Sequence, residues 1–247
     1  MSILNKIKWK LFFDSAEWTY IDKIYRKNEE LLWAKIWDDT KSGIEWIKEL
    51  PSISPGRWAV GYNYIYVMTR ILNEMHPKNV LDLGLGISSS LIGAYFIGEG
   101  IKDGSHDVVE QDKTWIDFYS TNNRISTNTN LYHIECVEKV LRGITYNAYK
   151  DMGEVVKGKK YDVISIDGPK GSDYISRRDI VEFLPDILSD SFAIVIDDAE
   201  RNGEKATVAE IRRILEKNSI EYYEGEYQGE NLCKVIVSAD NRFLCSL

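Results

Sequence analysis

The feature that most constrains this 247-residue chain is a series of strand-length apolar runs separated by helix-length segments. The runs are Asn79–Leu83, 106–110, 131–137, 161–167 and 192–197, each apolar and mostly β-branched. Between them lie helical patterns at 88–97, 179–188 and 204–218, and a further helix is read over 59–75. Continuous apolar strands alternating with helices predict a parallel sheet covered on both faces. The end of the chain breaks the rule. Runs 220–227 and 232–239 are joined only by Gln228-Gly229-Glu230-Asn231, too short for a crossover helix, so these two pair antiparallel. The expected fold is α/β: a Rossmann-like, seven-stranded, mostly parallel sheet with a C-terminal antiparallel hairpin and an N-terminal helical extension.

The extension is residues 1–55, bounded by Pro51, Pro55 and Gly56; the sheet domain is 56–247. Six of the seven tryptophans fall in the first 58 residues, and the first fifty carry nine basic and nine acidic side chains. A helical stretch over 18–37 follows a basic, apolar stretch at 1–13 whose Lys6, Lys8 and Lys10 permit weak contact with an anionic membrane surface. The aromatic helices are expected to cap the sheet edge and wall a cleft, or to bridge two copies in a homo-oligomer. The formal net charge of −8 argues against nucleic acid as a partner. No apolar stretch reaches membrane-spanning length. Cys136, Cys233 and Cys245 lack metal or redox spacing and read as reduced thiols of a cytoplasmic protein.

The first strand runs into Asp82-Leu83-Gly84-Leu85-Gly86-Ile87-Ser88. Glycines at a strand-to-helix turn let backbone approach a ligand, and the helix N-terminus offers free amides. The same residues serve a plain turn capped by Ser88. A dinucleotide fingerprint would need a third glycine where Ser89 stands. The second strand ends at Glu110, placed to accept hydrogen bonds from ribose hydroxyls. The fourth ends in Ile166-Asp167-Gly168-Pro169-Lys170-Gly171 and the fifth in Asp197-Asp198-Ala199-Glu200-Arg201. Because ligands bind beyond the carboxyl ends of parallel strands, Asp167, Asp197 and Asp198 should converge there. Three carboxylates in one cleft need relief from a cation: Mg²⁺ or another hard divalent ion, Lys170 or Arg201.

Together the glycine turn, Glu110 and the hairpin resemble a class I S-adenosylmethionine-dependent methyltransferase over roughly 57–237, with Ser88 replacing that superfamily's last glycine. The resemblance implies S-adenosylmethionine held by Asp82, Gly84, Gly86, Ser88, Glu110 and Asp167. Two branches are similar. Catechol-type O-methyltransferases imply metal ligation by Asp167, Asp197 and Asp198 with Lys170 as base, although this chain has Asp198 where they carry Asn. Glucuronoxylan-type polysaccharide O-methyltransferases and their bacterial relatives are matched more closely, by Gly84-Leu85-Gly86, by Glu110-Gln111-Asp112-Lys113-Thr114-Trp115-Ile116, by Ile166-Asp167-Gly168-Pro169-Lys170-Gly171 and by Asp198-Ala199-Glu200-Arg201. The departures are Gly168 for Ala and Ala199-Glu200 for Val-Asp. This resemblance implies O-methylation of a sugar or polysaccharide hydroxyl, with Lys170 or Asp198 taking the proton and Asp167 positioning the reactants. Tyr174 is read as stacking on a sugar ring and Arg177 or Arg178 as gripping a carboxylate, or else the segment 172–178 is simply a solvated helix start. Competing readings are a catechol-like phenol methyltransferase, an NAD-dependent oxidoreductase and a non-catalytic nucleotide-binding scaffold.

Overall fold

The computed structural model describes residues 15–53 and 59–246, with side chains of the first helix from Tyr20 onward. The sheet strands are β1 (Asn79–Leu83), β2 (Ser105–Glu110), β3 (Thr129–His133), β6 (Tyr161–Ile166), β7 (Leu188–Ile196), β8 (Tyr222–Gln228) and β9 (Leu232–Ser238); β4 (Cys136–Leu141) and β5 (Ile144–Tyr149) form a separate hairpin. The seven-stranded sheet runs β3-β2-β1-β6-β7-β9-β8. All pairs from β3 to β7 are parallel, and β9 enters antiparallel between β7 and β8. This is the Rossmann-like sheet with its terminal hairpin that the apolar runs predict. The central strands are almost wholly buried, whereas edge strand β3 is half-buried to exposed throughout and edge strand β8 mixes buried, half-buried and exposed positions.

Two cores follow from the two-residue period of a strand. Val80, Val163, Ala193, Val195 and Val235 face one side, where they meet α2 (Tyr62–Met75) and α3 (Ile87–Gly98). Leu81, Ile164, Ile166, Ile194 and Ile236 face the other, against Val208, Ile211 and Leu215 of α6 (Asn202–Lys217). The remaining helices are α1 (Ser15–Lys41), α4 (Lys113–Asn122) and the single turn α5 (Gly153–Val156).

Two local expectations fail. No helix spans 179–188; that segment holds only a 3-10 turn, Val181–Phe183. Pro185 has no N–H to donate, and its ring disfavours helical geometry at Leu184. The run at 131–137 is also not one strand. The chain leaves the sheet after His133, and β4 pairs antiparallel with β5 from Cys136↔Tyr149 to Leu141↔Ile144. Its two-residue turn has both Arg142 (φ 52°) and Gly143 (φ 80°) left-handed, as a tight hairpin requires.

The N-terminal aromatics join the first core. Trp33, Trp37 and Trp46 are buried in the same cluster as the sheet valines. Trp33 Nε1 donates to the Gln228 carbonyl (2.5 Å) and Trp37 Nε1 to Thr69 Oγ1 (3.2 Å). Glu30 accepts from the amides of Tyr62 (2.6 Å) and Glu230 (3.2 Å), tying α1 to the β8–β9 turn. The opposite face of α1 leaves Tyr20, Ile21, Ile24, Tyr25, Leu31 and Leu32 exposed. The 1–13 stretch, the Trp18 side chain and Trp58 lie outside the described residues. Among the described residues no helix is long and apolar enough to cross a membrane. The three cysteines are free, and only Cys233 is fully buried.

Candidate functional site

The loops after β1 and β6 interlock to form the floor of the site. Leu83 O accepts from both Asp167 N (3.0 Å) and Gly168 N (2.6 Å), while Gly84 N donates to Val109 O (2.9 Å). Gly84 has φ +107°, and a Cβ there would stand 3.1 Å from Gly168 N. Only glycine meets both demands. Gly86 caps α3, which begins at Ile87, and space for a ligand is open above it. The cap is therefore Gly86 rather than Ser88. Ser89, three residues on, accepts from Gly86 N (3.1 Å).

Asp82 lies beneath this turn with no exposure at all. Its carboxylate accepts from Ser165 Oγ (2.5 Å) and Ser89 Oγ (2.6 Å), with Ser88 Oγ at 3.4 Å. The Tyr64 hydroxyl joins Ser165 at 2.6 Å. Asp82 and the buried Ser88 thus hold the turn from below and present nothing to the cleft. Glu110 is aimed at the turn: Oε2 accepts from Leu85 N (3.0 Å) and Oε1 from Asp112 N (2.8 Å). Trp115 Nε1 donates to the carbonyl of the same residue, Leu85 O (2.7 Å), and its ring stacks on Phe118 at 5.4 Å. Trp115 reaches this position because Asp112 caps α4, accepting from Thr114 N (2.8 Å) and Trp115 N (3.2 Å). The sequence reading placed Trp115 inside a matched motif but gave it no role.

The acidic residues converge as expected: oxygens of Asp167, Asp197 and Asp198 lie within 4.8 Å of one another. The unexpected member is Arg177. Only 6% exposed, it reaches Asp167 Oδ1 (3.2 Å), Asp198 Oδ2 (3.1 Å) and Glu204 Oε1 (3.7 Å) through its guanidinium. It also donates to the carbonyls of Asp197 (3.2 Å) and Pro169 (3.4 Å). Arg177 is therefore turned inward and spent on the cluster, not free to grip a substrate carboxylate. Arg178 points elsewhere, onto Glu210 (3.0 Å) and the Tyr146 hydroxyl. Arg201 adds a half-exposed partner for Asp198 Oδ2 at 2.6 Å.

Burial pushes the Asp167 carboxyl up to about 7; Arg177 opposes this, and Asp198 and Asp82 add to it. Asp197 is held well above the ordinary carboxylate range by burial, then by Asp167 and Asp198. Asp198 is raised by burial despite Arg177 and Arg201. Asp197 Oδ1 and Asp198 Oδ1 have no hydrogen-bond partner among the described residues. Asp198 also sits at φ 57° and Arg177 at φ 48°, left-handed conformations that cost a non-glycine residue about 1–3 kcal/mol.

The three carboxylates have the donor chemistry of a hard divalent ion. The arrangement does not fit one, because a fixed guanidinium already sits against two of them. At an effective dielectric of 20, like unit charges 4 Å apart repel by about 4 kcal/mol, and a divalent ion doubles that. Beside the cluster opens a cavity of about 540 Å³ lined by Lys170, Tyr174, Arg201, Asn202 and Glu204, among others. Lys170 is exposed on its wall, and Tyr174 is 68% exposed. No described residue of the N-terminal extension lines it.

No protein-family model matches the chain, and a search of curated proteins finds no match. Some solved structures are similar to it. An O-methyltransferase from Bacillus cereus in complex with SAH is 14% identical with a TM-score of 0.47, over 81% of this chain and 89% of that one. The O-methyltransferase TomG from Streptomyces achromogenes, involved in tomaymycin synthesis and bound to SAM, is 13% identical with a TM-score of 0.45, over 71% and 78%. A spermidine synthase from Thermotoga maritima is 12% identical with a TM-score of 0.45, over 71% and 58%. Likeness at this level assigns neither reaction nor acceptor.

Proposed function

We propose that this chain is an S-adenosylmethionine-dependent O-methyltransferase acting on a sugar or polysaccharide hydroxyl. The observation that carries the reading is the meeting, at one sheet edge, of a ligand-open glycine turn flanked by Glu110 with a buried acid cluster beside a polar cavity. Gly84, Gly86, the first-turn amides of α3, Glu110 and Trp115 would hold the cofactor. Glu110 is already oriented by two amides, and each of its oxygens keeps a lone pair for a ribose hydroxyl. The cofactor supplies a methyl group already activated on a sulfonium. The protein's tasks are then alignment, which contributes roughly 7–11 kcal/mol in a near-attack geometry, and removal of the acceptor proton.

Two residues are candidates to take the proton. Burial raises the Asp198 carboxyl above its ordinary range, and one of its oxygens has no hydrogen-bond partner among the described residues; Lys170 stands on the cavity wall. Asp167 lies between the glycine turn and Arg177, where it positions both reactants. Tyr174 and Asn202 supply the flat face and the hydrogen-bonding edge that a sugar ring uses. The phenolic, metal-dependent reading is disfavoured by Arg177 among the would-be ligands, and the oxidoreductase by the missing third glycine. We place the protein in the cytoplasm on its cysteine usage.

Calorimetric titration with S-adenosylmethionine, S-adenosylhomocysteine and NAD tests the class. Binding of both sulfur nucleotides without NAD is expected; NAD binding without S-adenosylhomocysteine overturns the reading. A panel of neutral sugars, uronic acids and catechols, followed by methyl transfer, then tests the acceptor.

A further inference from the structure

We infer that Arg177 is the resident cation of the acid cluster, standing where a divalent ion would otherwise bind, and that it positions Asp167 and Asp198 for a metal-independent centre. Five acceptors converge on one nearly buried guanidinium: carboxylates of Asp167, Asp198 and Glu204, and the carbonyls of Pro169 and Asp197. These come from the loop after β6, the loop after β7 and the first turn of α6. A planar fork with five fixed N–H donors meets such spread acceptors better than a lysine ammonium does.

The side chain is also locked in. The loop carrying it is pressed onto the start of α6: a Cβ at Gly203 would stand 2.4 Å from Ser172 O and 2.6 Å from Ser176 Cβ. Ser176 Oγ donates to Glu204 (2.8 Å), and Thr207 Oγ1 donates to Ser176 O. Withdrawing Arg177 therefore means lifting the whole loop from the helix. Both ends of the Arg177–Asp198 pair adopt left-handed backbone, so the chain is bent toward this contact from two sides. Arg178, one residue on, makes none of these contacts and is the internal control.

The test uses the full-length protein and Mn²⁺ as the probe, followed by electron paramagnetic resonance of the free ion and by calorimetry. The wild type is expected to bind no stoichiometric Mn²⁺. Arg177→Met is expected to take up one Mn²⁺ per chain with at least tenfold higher affinity than the wild type, because the carboxylates lose their cation. Arg177→Lys keeps the charge without the fork; it should gain no Mn²⁺ site yet lose at least tenfold in kcat, with S-adenosylhomocysteine affinity unchanged. Arg178→Lys should alter none of these. Stoichiometric Mn²⁺ binding by the wild type, or wild-type kcat in Arg177→Lys, overturns the inference. Should Arg177→Met not fold, the wild-type titration and Arg177→Lys decide. The kcat readout rests on the methyltransferase reading, whereas the Mn²⁺ readout does not. Loss of S-adenosylhomocysteine binding in the wild type would sink that reading alone.

Discussion

At the carboxyl ends of the strands, one buried carboxylate and a cluster of three buried or half-buried ones are satisfied in opposite ways. Under the glycine turn, Asp82 is surrounded by hydroxyls of Ser165, Ser89 and Ser88. At the ends of the next two strands, β6 and β7, Asp167, Asp197 and Asp198 are answered by guanidinium charge, with two oxygens left unpartnered among the described residues and left-handed backbone at Asp198. Hydroxyls cost little to bury and fix a shape. Unmatched carboxylates and strained backbone persist only where surrounding structure holds them, and they cluster at functional sites. The first group builds the site, and the second is where chemistry is expected.

Substitutions should separate the two groups. The largest effect belongs to Asp198→Asn, which tolerates left-handed φ and keeps the volume. A base contributes about 10²–10⁴-fold, so turnover should fall at least 10²-fold while S-adenosylhomocysteine affinity holds. If turnover instead survives there and vanishes in Lys170→Ala, the lysine is the base. Asp82→Ala should do the reverse. Each hydroxyl left without its acceptor costs roughly 1–3 kcal/mol, read as a lower urea midpoint at unchanged slope. Gly84→Ala should lose about 1–3 kcal/mol from its positive φ and weaken cofactor binding by calorimetry.

The pH dependence tests Asp167. Asp167 is raised in the folded protein from its ordinary 3.8 to about 7, so between those values the native state holds the extra proton. Its contribution to stability is therefore full below about pH 4 and declines as pH rises through 7. Asp167→Asn should flatten that decline in a series of urea unfolding curves. The smallest effect is Tyr174→Ala: stability within about 0.5 kcal/mol, since the ring is exposed, with a higher KM for the acceptor and no change for the cofactor.

How far residues alone foretold this differs by region. Strands such as β1, β6 and β7 were legible because burial on both faces demands unbroken apolar runs. The β4–β5 hairpin was not, because its half-exposed positions mix Val137, Glu138, Lys139 and Val140 without a sharp apolar signal, although Arg142-Gly143 is the turn that closes it. The helix read at 179–188 ignored Pro185. Convergence of Asp167, Asp197 and Asp198 followed from a topological rule that needs only strand ends. Arg177 was beyond such a rule. Nothing local distinguishes it from Arg178, and its inward turn is set by contacts with Asp198 and Glu204, more than twenty residues away in the chain. The burial of Asp82 was equally out of reach, since a strand residue beside a glycine turn looks the same facing up or down.

The packing of Trp33, Trp37 and Trp46 bears on where this gene product can be cut. A buried aromatic side chain removes about 150–250 Å² from water, roughly 4–6 kcal/mol each as an upper figure. Three of them together match the entire net stability of a typical domain, about 5–15 kcal/mol. A fragment trimmed to the apparent punctuation at Pro51 and Pro55 would retain every residue of the site and still lack the material that completes one face of its core. Trp46 lies against the backbone of Gly98, where a single added methyl would collide with it at 2.5 Å. The helix that opens at the glycine turn is thus finished, at its far end, by a residue from before the fold's first strand.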